Sequence, residues 1–151
     1  MKRLAYLIFV FLFTNPLLIS KTSTHSGGAE SSSQEDVPPI VAHMRQVNQN
    51  LRQLRRQLTA DKQDENLKLI REIRKHLEKA REEEPLKTPE LPAQERDSFL
   101  KGYQVLIGKV LSKIDRLEAS VSDGNLEQAE ALLADLNNMK KEGHQKYQKE
   151  E

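Results

Sequence analysis

The sequence predicts an all-α protein, an antiparallel four-helix bundle running up, down, up and down after an N-terminal signal peptide. Three observations predict the bundle. Apolar residues recur at alternating spacings of three and four in four separate stretches, the pattern of a helix with one buried face. The residues around those stripes are mostly Leu, Lys, Glu, Gln, Arg and Ala, all good helix formers. Aromatics make up only 5 % of the 151 residues, and Gly and Pro number six each, few for a chain built on β-turns. The connections are mostly short, which sets successive helices antiparallel.

Residues 1–20 stand apart. Met1-Lys2-Arg3 is a short basic start, and Leu4 to Phe13 is an apolar run interrupted only by Tyr6. Leu17-Leu18-Ile19 follows the break at Asn15-Pro16. This is a signal-peptide pattern, too short for a comfortable transmembrane helix; an uncleaved anchor is the competing reading. Cleavage is expected after Ser20 or as late as Ala29. Residues 21–37 are rich in Ser, Thr and Gly and read as a flexible leader, which leaves 38–151 for the bundle.

Charge follows the same division. Three of the 24 basic residues, and no acidic one, precede residue 30, so 30–151 carry 21 basic against 23 acidic residues. Nucleic-acid binding needs a concentrated basic face, and this near-neutral composition argues against it.

The first helix carries Ile40, Met44, Val47, Leu51, Leu54 and Leu58 without a miss in spacing. Pro38 and Pro39 fall at its first turn, where proline is tolerated. Arg45, Arg52, Arg55, Arg56 and several Gln form its solvated side. The second helix starts near Asp61, with Leu69 or Ile70, Ile73, Leu77 and Ala80 inward, and ends in Glu82-Glu83-Glu84-Pro85. Pro85, Pro89 and Pro92 then stiffen the longest connection.

The third helix runs from about Ala93 to Val121 on Phe99, Tyr103, Leu106, Val110, Ile114, Leu117 and Val121, with Ile107 widening the stripe. Gly102 and Gly108 each weaken it relative to alanine. They mark either the close approach of a helix or flat ligand, or simple tolerance in a long helix. Ser122-Asp123-Gly124-Asn125 is a tight helix-to-helix turn. The fourth stripe is Leu126, Ala129, Leu133 and Leu136, and it continues inward through Lys140, His144 and Tyr147. Met139 and Gly143 flank its last part.

An up-down-up-down order brings the start of the first helix and the end of the fourth to one end. Met44 and His144 are expected to face each other there, a thioether and an imidazole, a pair that a six-coordinate haem iron can use as axial ligands. Val47, Phe99, Tyr103 and Leu136 are the walls available at that end. Gly143 leaves room for a ring, and Lys140 and Arg45 can reach propionates. Each residue alone reads as ordinary: a methionine in a heptad stripe is usually core, and a histidine near a terminus is usually solvated.

Other chemistries find no pattern. His43 sits at the edge of its stripe and reads as surface, His76 belongs to the opposite half, and His25 lies in the leader. The spacing of a zinc site is absent, as is the Glu-x-x-His pair of di-iron bundles. No Gly-rich phosphate loop, serine elbow or catalytic dyad appears, so the chain does not read as an enzyme. The charge runs at 81–84 and 145–151 read as solvated surface. The chain has no cysteine, which rules out disulfides, thiolate ligands and covalent haem attachment.

The stretch Arg96-Asp-Ser-Phe-Leu-Lys-Gly-Tyr-Gln-Val-Leu-Ile-Gly-Lys109 closely resembles the soluble periplasmic cytochrome b-562 family. So do Gly-Asn-Leu-Glu-Gln-Ala-Glu-Ala at 124–131, His-Gln-Lys-Tyr at 144–147 and Met44-Arg-Gln-Val-Asn-Gln-Asn-Leu51. The likeness covers roughly 37 to 148. That family is itself a standing example of the up-and-down bundle, so the topology is not an independent inference. The resemblance implies that Met44 and His144 are the axial ligands of one non-covalent haem b. It matches Phe99 and Tyr103 to the family's two aromatics near the haem, with Tyr103 in place of a Phe. Lys140 falls where the family has an arginine, Gly143 where it has a tyrosine, and Lys101 where it has a histidine.

The resulting expectation is a periplasmic electron-transfer protein. Its partners would be haem and an unidentified redox protein, without nucleic acid and without stable membrane insertion after signal cleavage. The competing reading is a haem-free periplasmic helical-bundle adaptor or stress-response binding module. Transient haem carriage is a third.

Overall fold

The computed structural model describes residues 37–148. The expected signal peptide, and the expected leader up to residue 36, lie outside the described residues. Four helices follow: α1 (Pro39–Gln57), α2 (Gln63–Glu82), α3 (Ala93–Ser122) and α4 (Leu126–Tyr147). No strand occurs among the described residues.

Several helix ends are closed by hydrogen bonds from the turns and side chains around them. The Pro38 carbonyl accepts from the N–H groups of Val41 and Ala42, and Pro39, lacking an N–H, fits the first turn of α1 without cost. After α1 the chain makes a single 3-10 turn at Ala60–Lys62, so α2 begins at Gln63, two residues later than expected. Fully buried Asn66 organises this corner. Its side chain donates to the Thr59 carbonyl and accepts from Gln57 Nε2, both at 3.3 Å.

The connection after α2 is proline-bound as expected, with Pro85 and Thr88 buried and a second 3-10 turn at Thr88–Glu90. Arg96 fastens it to the first turn of α3 by donating to the carbonyls of Pro89 and Leu91 at 3.0 and 2.9 Å. The last turn of α3 leaves carbonyls without helical donors. Gln63 Nε2 donates to two of them, on Val121 and Ser122, at 2.7 and 2.8 Å. Gly124 then takes φ +72°, a left-handed conformation that favours glycine. The Asn125 side chain caps α4 by accepting from the Gln128 N–H at 3.1 Å.

The four stripes meet in one core, with Leu54, Ile70, Ile73, Ile114 and Leu117 fully buried. Successive helices pack side by side, α1 on α2, α2 on α3 and α3 on α4, while α1 and α4 meet more sparsely than these successive pairs. Met44, Leu106 and Val110 are stripe residues that pack against the core yet are left half-buried, because each also borders a cavity. No helix among the described residues is long and apolar enough to cross a membrane.

Candidate cofactor site

All four helices line a largely apolar cavity of about 360 Å³. Its lining comes from the early part of α1, the later part of α2, the middle of α3 and the end of α4. An up-and-down bundle gathers those segments at one end. The volume falls in the ~300–1,000 Å³ range of cofactor and small-molecule sites.

Met44, Tyr103, Lys140 and His144 all line this one cavity, as do Arg45 and Gly143. The expected walls Val47 and Leu136 are there as well. Phe99 is not. Its ring stands behind the lining against Tyr147, with centroids 4.9 Å apart. Tyr147 takes the place at the wall, edge-on to Tyr103 at 5.4 Å. Stripe position alone does not separate these aromatics, because each lies on the inward face of its helix.

Electrostatics prepares the two donors differently. Met44 offers a thioether that needs no deprotonation. The His144 imidazole is held below its ordinary pKa, first by burial and then by the charge of Lys140. It is therefore neutral at neutral pH, the form with a ring nitrogen free to bind a metal. Lys140 is itself held low, first by burial and then by Arg52 and Arg55. The Tyr103 hydroxyl donates to the Ala80 carbonyl at 2.6 Å, and burial, aided by Glu83, pushes its pKa up to about 12. Tyr103 is thus a fixed, neutral wall.

The two glycines near the site have distinct reasons. A Cβ on Gly102 would lie 3.0 Å from the Tyr147 hydroxyl, so any larger residue there would press Tyr147 back by a few tenths of an ångström. A Cβ on Gly143 would lie 3.3 Å from Leu106 Cδ2, so this glycine lets α4 approach α3 while lining the cavity.

His43, read from sequence as surface, is half-buried against His76, with the two Nδ1 atoms 3.1 Å apart. The pair links α1 to α2 outside the cavity. Helical spacing places each residue on a face but does not say which residue of the next helix stands opposite. Pro85 and Leu86 of the α2–α3 connection also line the cavity. Sequence reasoning missed them, because a connection carries no periodicity to read.

A soft thioether, a neutral imidazole, apolar walls and two cationic side chains on the lining form a donor set that fits haem b. Among the described residues, no group of three or more His, Asp or Glu side chains is placed to hold a bare metal ion. A family model described as Cytochrome b562 matches residues 40–148. No curated protein and no solved structure matches the chain.

Proposed function

The chain belongs to the cytochrome b562 family, and from that premise we propose that it is a periplasmic electron carrier, not an enzyme, binding one non-covalent haem b through Met44 and His144. The observation that carries the proposal is that these two residues, one hundred positions apart in sequence, line the same apolar cavity.

Haem supplies an iron that changes oxidation state by one electron. The chain supplies everything else. His144 gives a neutral ring nitrogen, kept free of protons by burial and by Lys140. Met44 gives a weakly basic sulfur, which raises the reduction potential relative to two histidines. Met44 and His144 would together hold the iron, so electron transfer would require neither side chain to be displaced. Lys140 and Arg45 provide positive charge for the haem carboxylates. Tyr103, Tyr147 and the aliphatic walls exclude water. The basic start and short apolar run of the first twenty residues support export.

Absorbance spectra of the haem-loaded full chain, oxidised and reduced, test this. The expected result is a low-spin six-coordinate spectrum in both states. Met44→Ala is expected to give a high-spin or mixed spectrum. An unaltered low-spin spectrum in that variant would remove Met44 as a ligand, and a protein that takes up no haem would favour the haem-free binding module.

A further inference from the structure

α1 carries Arg45, Arg52, Arg55 and Arg56 and no carboxylate. At about 100° per residue, Arg45, Arg52 and Arg56 fall within roughly 40° of arc on the solvent side, and Arg55 is turned from them toward α4. All four are exposed. Among the described residues none of them makes an ion pair. The interhelical pairs lie elsewhere: Arg71 and Arg74 with Asp115 and Glu118 between α2 and α3, and Lys113 with Asp135 between α3 and α4. Arg55 instead donates to the Leu133 carbonyl of α4 at 3.0 Å.

Lys140 faces this stripe across the α1–α4 seam, near enough for the charges of Arg52 and Arg55 to act on it. Like charges therefore converge on the seam where the cavity lies, and their repulsion opposes folding. The rest of the molecule does not share this sign. Residues 37–148 hold 20 basic and 18 acidic side chains, and α1 accounts for four of the basic and none of the acidic. Everything outside α1 is thus net negative, and the protein has a positive face.

A cofactor in the cavity does not use up that face. Only Arg45 and Lys140 of these residues line the cavity. Arg56 lies about 16 Å along the helix from Arg45 at ~1.5 Å per residue. A lipid surface is the less suitable occupant. Surface-seated helices press apolar side chains beside their basic ones, and the large exposed apolar side chains among the described residues, Val37, Leu86 and Val105, do not belong to the stripe. Arginine forks match carboxylates in pairs.

We propose that the arginine stripe of α1, beside the α1–α4 seam, is the docking surface for an acidic redox protein that presents a carboxylate-rich face. This rests on the electron-carrier reading above. Opposite charges on the two faces would steer encounter and bring the partner to the side of the bundle where the cavity lies.

The test uses the haem-loaded full chain and, as probe, a small acidic ferredoxin. Amide NMR shifts are expected to concentrate at residues 45–56. The electron-transfer rate constant is expected to fall about tenfold between ~0.01 M and ~0.15 M salt. The double variant Arg52→Glu, Arg56→Glu is expected to slow the reaction about tenfold at low salt and to flatten its salt dependence, with an unchanged absorbance spectrum. Rates and shifts that ignore both salt and the double variant would overturn the proposal. So would shifts that appear with phosphatidylglycerol-containing vesicles but not with the ferredoxin. If the chain takes up no haem, its spectrum reports that, while the NMR titration still decides whether an acidic protein docks on α1.

Discussion

Gly102 and Gly108 look alike in the sequence, both on the long third helix, yet their surroundings separate them. A Cβ at 108 would meet nothing within 4 Å, whereas one at 102 would press on the Tyr147 hydroxyl. Gly108→Ala is therefore expected to stabilise the bundle by about 0.5–1 kcal/mol through helix propensity alone. Gly102→Ala gains the same propensity but presses on the Tyr147 hydroxyl, so its net gain should be smaller than that of Gly108→Ala. Thermal unfolding followed by circular dichroism compares the two. Equal gains in both variants would contradict the packing of Tyr147 over Gly102. The same limit of sequence reading applies to the aromatics: Phe99 and Tyr147 are both inward, but only Tyr147 reaches the cavity.

Among the helices, the α2–α3 seam is the best fastened by charge. The Glu118 carboxylate bonds to Arg71 and Arg74, each at 2.9 Å. It is held below the usual carboxylate range, chiefly by the Arg71 hydrogen bond, with burial opposing and Arg74 adding to the effect. A carboxylate whose folded pKa lies below its unfolded value stabilises the fold fully above the unfolded value. That contribution is lost as the pH falls through the folded one. Glu118→Gln is thus expected to cost about 1 kcal/mol or less near neutral pH, given the solvent exposure of Arg71. The difference from the parent should shrink below about pH 4.5, near the ordinary carboxylate value. Denaturant titrations across that range check the prediction, and a pH-independent difference would count against the ion pair. Element ends were only partly legible. The Gly124 turn and the prolines were plain in the sequence, but the 3-10 turn before α2 depends on Asn66, whose partners on either side of the corner are tertiary facts.

At the scale of the molecule, the cavity and the core compete for the same interior. The bundle leaves Met44, Leu106 and Val110 half-covered around one space, and a ligand that fills it should stabilise the folded state by linkage. Haem at 100 times its dissociation constant is expected to add about 2.7 kcal/mol, with a melting temperature that rises with haem concentration. Calorimetry of the full chain with and without haem measures this, and His144→Ala should remove most of the shift. A melting temperature indifferent to haem would speak for the haem-free bundle.

The sequence by itself determined four amphipathic helices, their inward faces and the antiparallel order that brings Met44 and His144 to one end. These follow from local periodicity and short connections, which each stretch of chain carries independently of the rest. Tertiary structure alone decided that α1 and α4 meet more sparsely than the successive helices do, that Leu86 from a connection and Tyr147 rather than Phe99 wall the cavity, and that His43 finds His76. It also brought Arg52 and Arg55 near Lys140. The physical reason is that periodicity fixes the direction in which a side chain points, whereas its neighbour depends on the axial offset and spacing of helices. Those are set by the packing of the whole core.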